Sequence, residues 1–195
     1  MGRDKKQVFM KEIRLHGRGG QGAVMAAGMV ASAFVHAGKY AAAFGMFGPE
    51  RRGAPVMSFL RFDDKTIRQH TQIYQPDCLV VIDPRLIYTQ DIFGGLKEGG
   101  ILVINATGAA EELYSPEVAL VGVVDATKIG LEEIGTPITN TCMMGAFART
   151  TGWVQLDSLM YALGERFSGT VLERNIRCVE RGFEEVMVFK CQIKA

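Results

Sequence analysis

The stretch Ile13-Arg14-Leu15-His16-Gly17-Arg18-Gly19-Gly20-Gln21-Gly22 constrains the fold of this chain more than any other. A short apolar run enters a glycine-rich turn and leaves straight into the small, apolar segment Ala23 to Ala37. Strand, tight turn and helix in that order open an α/β domain. Gly17, Gly19 and Gly22 have the G-x-G-x-x-G spacing of a dinucleotide turn. In such a turn the first glycine makes the bend, the second lets backbone approach a ligand, and the third lets helix and strand pack closely. The spacing alone is a weak signal in a chain with 23 glycines, and a turn that merely packs well is the competing reading. Position favours a ligand loop, since the free N–H groups of a helix start can meet an anion.

Further along, the pattern repeats. Lys11 to His16, Tyr40 to Phe44, Val56 to Phe62, Cys78 to Ile82, Ile101 to Ile104 and Val118 to Val124 read as strands. The continuous apolar run Cys78 to Ile82 suits a central strand covered on both faces. Ile67 to Gln69 reads as a short hairpin partner after the turn Asp63-Asp64, Leu86 to Phe93 as helical, and Asp125 to Gly130 as a turn. From about Pro137 the chain becomes helical, with Thr139, Asn140 and Thr141 as cap candidates. The last helix shows an apolar face at Leu172, Ile176, Val179, Phe183 and Val186. These elements predict a three-layer Rossmann-like α/β domain with a largely parallel or mixed central sheet and a helical C-terminal part. A length of 195 residues fits one domain, 1–195 with its core at about 10–190.

A nicotinamide site of this type needs an acid about 20 residues past the glycines to hold the ribose hydroxyls. Ala41, Ala42, Ala43 and Phe44 stand there instead. The next segment, Phe47-Gly48-Pro49-Glu50-Arg51-Arg52-Gly53, places two guanidinium groups in a compact turn suited to phosphate or carboxylate. Arg18 adds a third positive group if the two loops meet; pairing of Arg51 or Arg52 with Glu50 or with an acid on a partner chain is the equal alternative to ligand binding. Asp83, at the end of a strand before Pro84, reads either as a ligand-loop residue or as a turn cap, and Asn105, Thr107 and Gly108 are further loop candidates.

Other chemistry is thinly represented. Cys78, Cys142, Cys178 and Cys191 are far apart, which argues against a metal or cluster held by this chain and for free thiols in the cytoplasm. His16, His36 and His70 come with no nucleophile and orienting acid, and neither a Gly-x-Ser-x-Gly turn nor a Gly-Lys-Ser/Thr phosphate loop occurs. The formal charge of +1 carries no broad attraction to nucleic acid, and neither a signal core nor a run long enough to span a membrane is expected. A ligand loop without catalytic equipment suggests a subunit that completes another chain's active site.

His16-Gly17-Arg18-Gly19-Gly20-Gln21-Gly22 together with Phe47-Gly48-Pro49-Glu50-Arg51-Arg52-Gly53, Asp83-Pro84 and Pro137-Ile138-Thr139-Asn140-Thr141 resembles the gamma subunit of 2-oxoacid:ferredoxin oxidoreductases. The likeness covers roughly residues 10 to 190, and its members act on pyruvate, branched 2-oxoacids, 2-oxoglutarate, indolepyruvate or phenylglyoxylate. Ala54 stands where many relatives carry glycine or another small residue. The resemblance implies a non-catalytic subunit of a complex that oxidatively decarboxylates a 2-oxoacid with coenzyme A. It implies thiamine diphosphate and [4Fe-4S] clusters in catalytic alpha and beta-type subunits and an iron-sulfur subunit, and FAD in a flavin-bearing electron-transfer partner of some complexes. Coenzyme A would lie near the subunit interface. Gly17, Arg18, Gly19, Gly20, Gln21 and Gly22 would then form the coenzyme-proximal loop, with Arg51 and Arg52 on an anionic group or a partner subunit. The alternative is a stand-alone nucleotide-binding dehydrogenase or regulatory module.

Overall fold

The computed structural model describes residues 10–46, 53–108, 115 and 117–191. Its elements run β1 (Lys11–Arg18), α1 (Ala23–His36), β2 (Tyr40–Gly45), β3 (Pro55–Asp63), β4 (Cys78–Val81), a 3-10 turn (Pro84–Tyr88), β5 (Gly100–Asn105), β6 (Val118–Val124), α2 (Ala126–Glu133), α3 (Asn140–Thr151), α4 (Leu156–Gly164), α5 (Gly169–Glu185) and β7 (Met187–Lys190). The seven strands form one sheet in the order β2-β3-β1-β4-β5-β6-β7. Strands β1, β4, β5 and β6 are parallel, while β3 runs antiparallel to both β1 and β2, and β7 antiparallel to β6. The sheet is therefore mixed at both edges and parallel in the middle.

Alternation along the strands assigns the two faces. Ile13 and Leu15 of β1, Leu60 and Phe62 of β3, and Val80 of β4 join the larger core with the apolar sides of all five helices. Phe62 stacks on Phe34 of α1, and Trp153 leans on Phe62 and Phe147 as a packing residue. Over the opposite face of β4, β5 and β6, Leu86, Ile92 and Leu96 close a smaller core with Leu79, Val81, Leu102, Ile104, Val121 and Val123. That third layer is the 3-10 turn and irregular chain rather than regular helix.

The expected helix at Leu86 to Phe93 reduces to the 3-10 turn Pro84–Tyr88. The turn closes at Thr89, whose N–H bonds to the Leu86 carbonyl, and Leu86 and Ile92 both reach the smaller core without helical backbone between them. Residues Ile67 to Gln69 form no strand, because β3 finds its partners in β1 and β2 instead. Two elements exceed the sequence reading: the Asp125 turn continues as α2, and a short edge strand β7 follows α5. Thr139 is the N-cap of α3 but makes no side-chain cap bond. Among the described residues no helix is long and apolar enough to cross a membrane.

Candidate functional site

From β1 the chain crosses the helical face through α1 to β2 and β3 on one side, then reaches β4 on the other side of β1. The connections that leave the carboxyl ends of β1 and β4 diverge, α1 covering one face of the sheet and the 3-10 turn the other, which is where open α/β sheets leave a ligand crevice. Residues Arg18 to Gly22 and Asp83 stand at that place.

Gly17, Gly19 and Gly22 each have a separate physical task. Gly17 lies inside β1, and a Cβ there would come within 3.3 Å of both Ala23 Cβ and Gln21 Oε1. Gly19 donates its N–H to the Ala54 carbonyl (2.9 Å) and accepts at its own carbonyl from the Gly53 N–H (3.1 Å). Gly22 is the left-handed N-cap of α1 (φ +76°), and a Cβ there would lie 2.5 Å from Asn140 Nδ2. The close packing expected of the third glycine is thus shared between Gly17 and Gly22. The cap position carries no side-chain cap bond, so it leaves the first turn of α1 without a local acceptor.

The side chains of the loop converge on Asp83. Gln21 Oε1 accepts from the Arg18 backbone N–H (2.7 Å), while its Nε2 donates to Asp83 Oδ2 (3.2 Å). Arg18 Nε donates to the same carboxylate oxygen (2.9 Å), and its Nη1 donates to the Gly53 carbonyl (3.1 Å). Arg85 donates to Asp83 through its backbone N–H, Nε and Nη2. Arg85 above all, followed by Arg18, holds the Asp83 carboxyl down at about 2 against the opposing effect of burial. The guanidinium of Arg18, read from sequence as a free cation for a ligand, is largely committed within the chain.

Gly17, Arg18, Gly19, Gly20, Gln21 and Gly22 are thus one continuous structure. Arg51 and Arg52, with Phe47, Gly48, Pro49 and Glu50, lie outside the described residues. Gly53 and Ala54, next in sequence, do reach the glycine loop. Two open clefts flank that loop. One of about 800 Å³ runs along α1 past Arg18, Gly20, Val24, Met25, Ala162 and Arg166. The other, about 1070 Å³, lies at the carboxyl ends of the parallel strands beside Gln21, Asp83, Arg85, Thr107, Thr127 and Lys128. Asn105 anchors that edge by donating to the Ile82 carbonyl and the Thr127 hydroxyl.

Sequence reasoning left the role of Asp83 divided and missed Asn140 as the residue against Gly22. The Asp-Pro pair signalled a turn cap, and that bond exists, but nothing in local sequence reports bonds to Gln21 and Arg18 some sixty residues away. His16, within β1, is buried, its Nε2 has no partner, and burial followed by Arg14 lowers its pKa to about 3. It is a neutral imidazole with neither a nucleophile nor an acid bonded to it. Among the described residues no group of three or more His, Cys, Asp or Glu side chains is arranged to hold a metal. Cys78 and Cys142 are buried with their thiols pushed up by burial, and Cys178 is raised to about 11.

The family described as "Pyruvate ferredoxin/flavodoxin oxidoreductase" matches residues 12–185. The chain is 53% identical to the gamma subunit of NADH-dependent phenylglyoxylate dehydrogenase of Aromatoleum evansii, over 95% of this chain and 99% of that one. It is 50% identical to the common gamma subunit of the pyruvate/ketoisovalerate oxidoreductases of Thermococcus kodakarensis, over 93% of this chain and 100% of the relative. Among solved structures, subunit PORC of pyruvate oxidoreductase from Thermotoga maritima superposes with a TM-score of 0.82 at 40% identity, covering 94% of this chain and 99% of that one.

Proposed function

The chain belongs to the pyruvate ferredoxin/flavodoxin oxidoreductase family, and from that premise we propose that it is the gamma subunit of a multisubunit thiamine diphosphate-dependent 2-oxoacid oxidoreductase. The complex would convert a 2-oxoacid and coenzyme A to acyl-CoA, carbon dioxide, a proton and two electrons, delivered to ferredoxin or another acceptor. The observation that carries this reading is the match along nearly the full length of both chains to gamma subunits. The absence of a nucleophile or acid–base pair beside the glycine loop, among the described residues, is consistent with it.

In this reading the chain is a single gamma-type domain with its core at about residues 10–190, working in the cytoplasm. Thiamine diphosphate, held by alpha and beta-type subunits, supplies decarboxylation, and [4Fe-4S] clusters in an iron-sulfur subunit carry the electrons away. FAD belongs to a further electron-transfer partner where the acceptor is NAD. This chain's own part is to bind and orient. The loop Gly17-Arg18-Gly19-Gly20-Gln21-Gly22 bonds its own N–H groups at Arg18, Gly19 and Gln21 within the chain and presents the first turn of α1, which lacks a local acceptor, to the coenzyme near the subunit interface. Arg51 and Arg52 meet an anionic group of the coenzyme or an acidic surface of a partner.

Affinity purification of the full chain from its native cell tests the reading. It is expected to bring down thiamine-binding and iron-sulfur subunits, and the recovered complex to reduce a dye acceptor with a 2-oxoacid and coenzyme A. A stable lone chain that turns over NAD with a small substrate would sink it. Arg51→Ala and Arg52→Ala, made separately, should weaken assembly or raise the KM for coenzyme A; no change in either removes the role given to that turn.

A further inference from the structure

Asp83 is 2% exposed, yet its carboxylate takes five hydrogen bonds from three residues. Capping the 3-10 turn requires one of them, the bond from the Arg85 N–H. The bonds from Arg18 Nε and Gln21 Nε2 do nothing for that turn, and instead tie the glycine loop to the end of β4. Gln21 extends the tie, because its other amide atom accepts from the Arg18 backbone N–H.

We infer that Asp83 is the positioning residue of the glycine loop: one buried carboxylate fixes Gln21 and Arg18, and through them the backbone groups that meet the coenzyme. Gly19, Gly20 and Gly22 give the loop a close approach at the cost of conformational freedom, and Gly20 and Gly22 both have positive φ. A loop of that composition gains affinity when something outside it holds it in its binding shape. Asp83 does so from a rigid strand end. It also engages the Arg18 guanidinium, so an anionic ligand meets the oriented N–H groups of the first turn of α1 in place of an unpaired side chain. Asp83 touches no substrate in this account and acts only through its two partners.

The inference rests on the coenzyme-proximal role of the loop, and its test uses the assembled complex. Asp83→Asn keeps the shape of the side chain and removes its charge. It should raise the KM for coenzyme A about five- to tenfold, while single-turnover reduction of the complex by 2-oxoacid without coenzyme A is unchanged. In a Gln21→Met background the same substitution should raise the KM by a smaller factor than in the wild type, because one of its two routes is already cut while that through Arg18 remains. An unchanged KM overturns the inference, and so does a fall, which would mean that Asp83 competes with the coenzyme for Arg18. Equal effects in the two backgrounds overturn the route through Gln21. If Asp83→Asn fails to assemble, Gln21→Met alone decides, since it leaves Asp83 paired with both arginines; an unchanged KM there is equally fatal. A wild-type complex without coenzyme A-dependent turnover instead refutes the proposed function.

Discussion

At the residue scale, two glycines separate backbone necessity from helix propensity. Gly22 needs its left-handed φ and its missing Cβ, because Asn140 already occupies the space. Gly22→Ala is expected to lower stability by about 2–3 kcal/mol, combining the left-handed cost with the clash. Gly28, in the exposed middle of α1, has nothing within 4 Å of an added Cβ, so Gly28→Ala should stabilise by about 0.5–1 kcal/mol. Urea unfolding of the purified chain measures both, and equal signs would contradict the assignment. His16 gives a pH signature. Its folded pKa of about 3 lies below the ordinary imidazole value of 6.5, so the unfolded chain binds a proton that the folded chain refuses. Stability is therefore intact above the unfolded value and falls as pH drops from there toward about 3. The slope from this group should approach about 1.4 kcal/mol per pH unit. His16→Phe should flatten that part of the stability curve, as read from urea midpoints at a series of pH values; an unchanged slope would remove His16 as its source. The glycine spacing was legible because it is local. The burial of His16 and the convergence on Asp83 were not, because both depend on which strands become neighbours.

At the element scale, periodicity located most strands and helices, and failed where a tertiary neighbour decides. The apolar runs at β1, β4, β5 and β6 announce a buried parallel centre. The β2–β3 pairing was hidden because a long connection with its own motif separates the strands, which sent the reading toward a closer partner at Ile67 to Gln69. Edge strand β7 is short and exposed, so it carries no alternation to read. Helices α3 and α5 cross through glycine. A Cβ on Gly145 would collide with the Val179 carbonyl, and one on Gly182 with the Cys142 carbonyl. Backbone cannot move aside as a flexible side chain can, so Gly145→Ala and Gly182→Ala should each destabilise by about 1–3 kcal/mol. Calorimetric melting of the two variants checks this. A Tm equal to wild type for either would show that the helices separate at no cost.

For the whole molecule, the two faces of the sheet are held by different physics. All five helices bury apolar surface on one face, and non-directional burial is enough there. The segment between β3 and β4 lacks regular structure on the opposite side, so its position depends on directional anchors. Arg61, 2% exposed on β3, pairs with Glu12 Oε1 at 2.9 Å and donates to the carbonyls of Thr71 (2.6 Å) and Gln72 (3.3 Å). Nearby, Asp77 accepts from the Glu12 N–H and from Lys11 and Lys97, fixing the entry to β4. Because β4 carries Asp83 just past its end, these anchors determine where the glycine loop finds its counter-charge. Arg61→Met would keep much of the side-chain volume but take its donor from three carbonyls, those of Gln69, Thr71 and Gln72, and from the largely buried Glu12 carboxylate. Removing one partner of a buried pair costs about 3–5 kcal/mol, most of it the desolvation of what remains. The loss should appear in urea unfolding together with faster amide exchange around Thr71 and Gln72. Exchange in α3 and α5 should rise only as far as the global stability falls, since the helical face has its own core. Uniform acceleration across the chain, with no excess in that segment, would show that Arg61 supports the sheet as a whole rather than tethering the connection into β4.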